Sequence, residues 1–330
     1  MRVRLPLVMI GGALLVVGCT DSTTGPAPAT SSVTQSQQPA LGIFKTRQAV
    51  AAQWAADLMA AKGGGGGGGK TANTGIFYHG GPVIYQQKVA AVYWATSVIY
   101  NGGPTPGTTG TGAQDGSLVG FFLRNLGGSP YFNINTTYFD GTGAHVQNSV
   151  TYTQFWADNH APSATVSDAA LQAEVAAGLS SGALTYDPNT LYHVFTGPNI
   201  NLGGGFGTQY CAYHSHFTWN GKDVKYSAMP YDYTFPSACA ALNGSPNNDF
   251  AADAEVNTMA HETEETTTDE DLNAWFDRRG NENADKCAWM FGTTYTTSNG
   301  STANEKIGGK DFLVQMNWIN TGSGGCRQSF

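Results

Sequence analysis

The chain has 330 residues, of which 41% are hydrophobic and 12% are charged, and 43 of them are glycine. The formal net charge is -8, and no cluster of lysine and arginine follows Arg4. The basic groove that nucleic-acid binding requires is therefore not expected. Length and composition are typical of one large, loop-rich globular domain.

The first nineteen residues predict an exported lipoprotein. Arg2 and Arg4 precede an apolar run over residues 5–17 that ends just before Cys19. This pattern predicts a signal peptide over residues 1–18, cleavage before Cys19, and a lipid on that cysteine that holds the chain to a membrane. A plain secretory signal is the alternative. Both interpretations place the chain outside the cytoplasm, in the periplasm or at the cell surface.

Three segments separate the leader from the main domain. Residues 19–42 are rich in Ser, Thr, Pro, Ala and Gln, which predicts a flexible tether. Residues 43–62 predict an amphipathic helix that docks on the domain or rests at the membrane surface. Residues 63–74 form a glycine-rich hinge. This hinge matches the phosphate-loop pattern only trivially, because no strand precedes it and no helix follows it, so we expect no nucleotide.

Residues 75–330 predict a single α+β domain with a mixed sheet and two disulfides. Short runs rich in Val, Ile, Tyr, Phe and Thr predict strands near residues 88–100, 131–139, 191–196, 208–219 and 223–234. Helical periodicity predicts helices near residues 115–126, 167–179 and 250–267.

Four cysteines remain after Cys19, and an even number in an exported chain predicts two disulfides. Of the three possible connectivities we expect pairing between neighbours, Cys211 with Cys239 and Cys287 with Cys326. No two of them form a C-x-x-C motif, so a thiolate zinc site is not expected.

The helix predicted over residues 250–267 carries the sequence His261-Glu262-Thr263-Glu264-Glu265. This is an H-E-x-x-E motif, a carboxylate variant of the zincin motif H-E-x-x-H. Residues four apart share a helix face, so His261 and Glu265 can bind one ion while Glu262 acts as general base.

A catalytic zinc needs a third protein ligand, which we expect to be Glu282. Asp285 is placed to orient a ligand from outside the coordination sphere, and Asp269 is the competing acid. Two alternatives remain open. The acids could bind calcium for stability, or they could form a solvated acidic surface without a metal.

Two further histidines, His214 and His216, straddle Ser215 in a predicted strand and therefore share one face of the sheet. They are candidates to line the site, although a structural role in hydrogen bonding is the more common one.

Several segments together resemble the EXORDIUM, or phosphate-induced protein, family. The similar segments are Tyr78-His79-Gly80-Gly81-Pro82-Val83, Val92-Tyr93-Trp94, Cys211-Ala212-Tyr213-His214, Cys239, His261-Glu262, Glu265 to Asp269, Asn273-Ala274-Trp275, Glu282 to Cys287, Phe312-Leu313 and Cys326. Two positions depart from the family pattern: Ala212 replaces a glycine, and Glu270 replaces the proline that follows Asp269.

The resemblance covers about residues 75–330 and implies a secreted or cell-wall location more firmly than it implies a chemistry. We expect a lipid-anchored, zincin-like protein, with zinc at His261, Glu265 and Glu282, that hydrolyses peptide or amide bonds in an envelope or environmental polymer. The competing hypothesis is a non-catalytic surface module that binds glycan or protein.

Overall fold

The computed structural model describes residues 41–63, 75–241 and 243–330. The predicted leader, the lipidation site Cys19, and most of the tether and hinge lie outside these residues. Within the described ranges no helix combines the length and the apolar character that crossing a membrane requires.

The secondary-structure elements of the described residues, in chain order, are β1 Gly42–Lys45, α1 Arg47–Gly63, β2 Phe77–Tyr78, β3 Gln87–Trp94, β4 Thr108–Thr111, α2 Leu118–Leu126, β5 Val150–Asp158, α3 Asp168–Ser181, β6 Thr190–Thr196, β7 Tyr210–Trp219, β8 Lys222–Met229, α4 Pro236–Cys239, α5 Phe250–Thr268, β9 Trp275–Phe276, β10 Tyr295–Thr296, β11 Thr302–Ala303, β12 Glu305–Ile307, β13 Lys310–Phe312, β14 Asn317–Ile319 and β15 Gly325–Arg327.

The core is a seven-stranded sheet in the order β1-β7-β8-β6-β3-β5-β4. Strands β8, β6, β3 and β5 pair in parallel, whereas β7 and β1 at one side and β4 at the other pair antiparallel. The remaining strands form two-stranded ribbons. The predicted α+β class with a mixed sheet is confirmed.

Helices cover both faces of this sheet. On β3 the side chains alternate: Val89, Ala91 and Tyr93 join the core beneath α2 and α5, whereas Ala90 and Val92 join the core beneath α3. Both faces are apolar because both are buried, which explains the nearly continuous hydrophobic sequence of this strand.

Helix α5 is the central helix of the domain and is unusual in its composition. Every residue from Ala252 to Thr268 is buried, although the segment contains four glutamates. Asp249 caps its first turn by accepting a hydrogen bond from the backbone N–H of Ala252 at 3.2 Å. Burial excludes the hypothesis that these acids form a solvated surface, so each carboxylate needs a partner inside the protein.

Two sequence predictions differ from the structure. The strand expected over residues 131–139 is instead a 3-10 helix over Phe132–Thr137, and its first N–H is capped by the Ser129 hydroxyl at 3.0 Å. The helix expected over residues 43–62 begins at Arg47, because residues 42–45 form the edge strand β1. Pairing with β7 fixes that segment in an extended conformation, which helical spacing alone could not indicate.

Candidate metal centre

The last turns of α5 provide three of the predicted site residues. His261 and Glu265 share one face of the helix, Glu262 lies beside them, and all three are fully buried. His214 of β7 faces them across the helix-sheet interface, and Gly42 of β1 is the sheet partner of His214. A Cβ atom on Gly42 would lie 2.1 Å from Cε1 of His214, so only glycine permits this approach.

The chain after α5 returns two more acids to the helix. Asp269 ends α5, and its backbone N–H donates to the Glu265 carbonyl at 2.8 Å. The chain then passes through β9 into a 3-10 turn over Asp285–Cys287. The backbone N–H of Asp285 donates to Oε1 of Glu265 at 2.9 Å, which fixes this turn against the helix. Glu282, just before the turn, is fully buried beside His214.

His261, Glu265 and Asp285 form what we call the rim group. Nε2 of His261 lies 3.0 Å from Oε1 of Glu265 and 3.8 Å from Oδ1 of Asp285. Phe44 of β1 stacks on the imidazole at 4.0 Å between centroids, and the Gln315 amide lies 3.0 Å from Nδ1. These contacts hold the ring with Nε2 toward the carboxylates. The Gln315 amide nitrogen also donates to the Ala284 carbonyl at 2.9 Å, which fixes the amide beside the ring.

His214, Glu262 and Glu265 form a second cluster, the inner group. Nδ1 of His214 lies 3.1 Å from Oε2 of Glu262 and 3.6 Å from Oε2 of Glu265. On the other side of the ring, Nε2 lies 3.6 Å from Oε1 of Glu282. Glu265 therefore belongs to both groups, with one carboxylate oxygen directed to each.

Burial dominates the proton affinities in the centre. It lowers the pKa of His214 to about 3 and that of His261 to about 4. It raises the pKa of Glu265 to about 8 and that of Asp285 to about 7, and it raises the pKa of Glu262 well above its ordinary value. The histidines are thus neutral, which is the form that binds a metal. The carboxyls ionise readily only when a cation replaces their protons.

Several buried polar atoms of the centre have no hydrogen-bond partner within the described residues. Seven such atoms lie within the described part of the chain: Nε2 of His214, Nε2 of His261, Oε1 of Glu262, Oε2 of Glu265, Oδ2 of Asp269, and both carboxylate oxygens of Glu282. Buried polar groups are ordinarily satisfied. The donor set of imidazole nitrogens and carboxylate oxygens fits a divalent transition metal such as zinc.

A cleft of about 420 Å³ reaches the edge of this centre. Asp285, whose side chain is 8% exposed, belongs both to the rim group and to the wall of the cleft. The other side chains of the wall are mostly polar or aromatic and include Lys45, Trp54, Arg279, Lys286 and Trp318. Asp285 therefore connects the rim group to the cleft.

His216, predicted as a possible lining residue, lies outside both groups. Its Nδ1 is 2.7 Å from Oδ1 of Asp223 and 3.8 Å from Asp271, and the side chain is 37% exposed. Lys225 lies 2.8 Å from Asp223 and supplies a positive charge there. This cluster is consequently a partly solvated ion-pair network.

Sequence reasoning gave too little weight to His214 and missed three supporting residues. Gly42 and Phe44 fell in segments interpreted as tether and helix, and Gln315 belongs to no motif.

The predicted disulfides Cys211–Cys239 and Cys287–Cys326 are both confirmed. Metal binding by His261, Glu265 and Glu282, catalysis by Glu262, and the orienting roles of Asp285 and Asp269 stay predictions.

Fold and site together define a disulfide-bonded α+β domain with a buried histidine-carboxylate centre. A family model described as the phosphate-induced protein 1 conserved region matches residues 128–317, which is more than half of the chain. The chain therefore belongs to the phosphate-induced protein family, as the sequence resemblance predicted. Neither the curated proteins nor the solved structures include a significant match.

Proposed function

We propose that this protein is a metal-dependent hydrolase, with zinc held at the rim group by His261, Glu265 and Asp285. Asp285 replaces the predicted third ligand Glu282 in this proposal, because Glu282 lies beside His214. The observation that carries the proposal is the convergence of these three side chains, of which Asp285 lines the cleft, with 3.0 Å and 3.8 Å between the ligand atoms. A protein-bound zinc ligand set of one histidine and two carboxylates leaves a fourth position for water or substrate.

Glu262 is the general base in this proposal. When bound, zinc would polarise a substrate carbonyl and make its water easier to ionise. Oε1 of Glu262 has no partner in the described chain. Burial raises the pKa of this carboxyl, so it would act as a base only once a bound cation has made it ionise. The backbone N–H of Asp285 holds Glu265 in place, and Phe44 and Gln315 hold His261.

The substrate proposed is an extended polar polymer containing peptide or amide bonds, from the cell envelope or the environment. The cleft supports this choice because lysine, arginine and tryptophan side chains line it, which suits a hydrated chain better than a lipid. A membrane anchor at Cys19 would hold the enzyme outside the cytoplasm. Two disulfides support that location, because such bonds persist in oxidising compartments.

A second candidate function is a non-catalytic surface module that binds glycan or protein and contains a structural cation. The burial of the centre favours it, because both imidazoles and four of the carboxylates have no exposed surface. Calcium is the weaker candidate for such a site, since it prefers six to eight oxygen ligands and the centre contains two imidazoles.

The test compares two buried glutamates of α5. Glu262→Gln removes the base, whereas Glu264→Gln is the matched control, because Glu264 accepts hydrogen bonds from the side-chain amides of Asn135 and Asn317 outside both groups. Untagged protein is analysed for metal by mass spectrometry and assayed for release of new amines from peptidoglycan and from a mixed peptide library.

The proposal predicts a metal in all three proteins, activity in the wild type and in Glu264→Gln, and at least a hundredfold loss of activity in Glu262→Gln. Wild-type protein that retains its metal but cleaves no substrate, and loses stability on chelation, supports the structural module instead. Absence of metal from the wild type contradicts both candidates. Cys19→Ala, followed by fractionation of membranes, tests the anchor separately, since it should release the protein from the membrane fraction.

A further inference from the structure

The two groups described above share one carboxylate. Oε1 of Glu265 faces His261 and Oε2 of the same residue faces His214. A carboxylate that presents each oxygen to a different imidazole has the arrangement of a bridging ligand. Two-metal sites hold their ions about 3.5–4 Å apart, a separation that a bridging carboxylate can span.

The separations within each group are those of ligands around an ion. Two ligand atoms that each lie about 2.1 Å from a tetrahedral metal are about 3.4 Å apart. In the inner group, Nδ1 of His214 is hydrogen-bonded to Oε2 of Glu262 at 3.1 Å and lies 3.6 Å from Oε2 of Glu265, distances that a cation between them would also give. In the rim group, Nε2 of His261 has no hydrogen bond within the described chain, although Oε1 of Glu265 is only 3.0 Å away. A cation placed between these two atoms would satisfy both of them.

The charge of the centre also calls for more than one cation. Four buried acids and Asp285, which lines the cleft, surround the two histidines, and their formal charge when ionised is -5: Glu262, Glu265, Asp269, Glu282 and Asp285. The imidazoles lie within ion-pair distance of four of these carboxylates, and Lys45 supplies one positive charge near Glu265 and Asp285. With Lys45 counted, one divalent cation leaves a charge of about -2 in the centre, whereas two leave about zero.

We infer that the centre binds two divalent cations bridged by Glu265, one in the rim group and a second in the inner group of His214, Glu262 and Glu265. The inference deepens the proposed function and rests on it for the rim cation. Glu282, on the far side of the His214 ring, is placed to orient that imidazole, as carboxylates do for metal-ligating histidines. Glu262 would bind through Oε2 and keep Oε1, which has no partner in the described chain, for the proton.

Manganese provides a direct test, because its paramagnetism reports both number and distance. Untagged, full-length protein is stripped with a chelator, reloaded with Mn²⁺ in steps, and measured by mass spectrometry and electron paramagnetic resonance. We expect two Mn²⁺ per chain and a spin-coupled spectrum, because the ions would lie about 3.5–4 Å apart.

Three variants locate the second ion. His214→Ala should bind one Mn²⁺ per chain with an uncoupled spectrum. Glu282→Gln, which keeps the size of the side chain, should weaken the second ion about 10- to 100-fold and leave the first unchanged. The control is His193→Ala on β6, because His193 is equally buried but its hydrogen-bond partners within the described residues are Ser227 and Thr263. It should keep two coupled ions.

The outcomes separate this inference from the proposed function. One Mn²⁺ per chain that His214→Ala does not change would overturn the second site and leave the hydrolase proposal standing. Two uncoupled ions, of which His216→Ala removes one, would place the second ion at the surface network and overturn the bridge. Two coupled ions in a protein without hydrolytic activity would support the inference and contradict the hydrolase.

Discussion

Lys225 stabilises the loop that follows the site helix, and its removal gives a quantitative test of the fold around the centre. Its Nζ lies 2.7 Å from Oε2 of Glu270 and 2.8 Å from Oδ2 of Asp223, and its side chain is 7% exposed. Glu270 occupies the position where the family pattern has proline, directly after Asp269. The ion pair with Lys225 therefore provides a constraint on this loop that a proline ring would otherwise supply.

We expect Lys225→Met to lower the free energy of unfolding by about 3 kcal/mol at pH 8, the lower end of the range for breaking a buried pair. Asp223 contributes little to the loss, because it is one third exposed and keeps its contact with His216. Glu270 is the buried carboxylate that loses its ion pair with Lys225. Burial already raises the pKa of Glu270 to about 7 despite the nearby lysine. Without Lys225, Glu270 takes up a proton at pH 8, and the free energy of this protonation lowers the stability of the folded state.

The loss should therefore depend on pH. In the variant the pKa of Glu270 rises further above its unfolded value, so the folded state holds a proton that the unfolded state releases above about pH 4.5. Wild type and variant both lose stability as pH rises to about 7, where Glu270 of the wild type ionises. Above that pH only the variant keeps losing stability, by about 1.4 kcal/mol per pH unit, so the difference from wild type shrinks to about 2 kcal/mol at pH 5.

Urea denaturation followed by tryptophan fluorescence measures these changes. Lys222→Met on the same strand is the control: Lys222 is exposed and lies over the rings of Tyr186 and Trp219, so we expect a loss below about 1 kcal/mol. In Lys225→Met/Glu270→Leu most of the stability should return. Equal losses at pH 5 and pH 8, or a double variant no more stable than the single one, would refute the reasoning.

Three more predictions concern other parts of the molecule. Gly42→Ala should force the His214 ring away from the carboxylates, so metal content should fall by about half if His214 holds one of two ions. Replacing both Cys287 and Cys326 by alanine should cost about 4 kcal/mol in urea denaturation, because the disulfide closes a loop with a sequence separation of 39. Burial raises the pKa of Glu174 to about 8, so wild-type stability should fall between about pH 4.5 and pH 8. The melting temperature of Glu174→Gln should fall less steeply with pH across that window.

Each of these has its own control. Gly75→Ala adds a Cβ with no atom within 4 Å and should leave metal content unchanged. Replacing Cys211 and Cys239 instead should cost a similar amount, because the sequence separation is 28. An unchanged pH slope in Glu174→Gln would show that this carboxyl ionises normally in the folded protein.

Much of the candidate site could be predicted from local sequence. Helical spacing predicted that His261 and Glu265 share one face of α5. The short sequence interval between the end of this helix and Asp285 indicated that the next acids lie near it, and the contacts of His261 agree with both. An even set of four cysteines, with neighbours paired, gave both disulfides correctly. Each of these inferences depends on a few residues close in sequence, where geometry follows from the backbone period.

Longer-range features could not be predicted in this way. The segment at residues 42–45 has helix-like spacing, yet it forms an edge strand because β7 offers unpaired backbone groups beside it. His214 became central because β7 lies under α5, and Glu282 lies across its ring from Glu262.

The sequence by itself determined the family, the α+β class, the cysteine pairs, and a helix carrying a histidine and two acids. Only the tertiary structure decided that this helix is buried on every side and that Glu265 stands between two imidazoles. The physical reason is that motif spacing fixes which residues share a helix face. Burial and charge balance, by contrast, depend on which strands and loops pack against that face, and those come from distant parts of the chain.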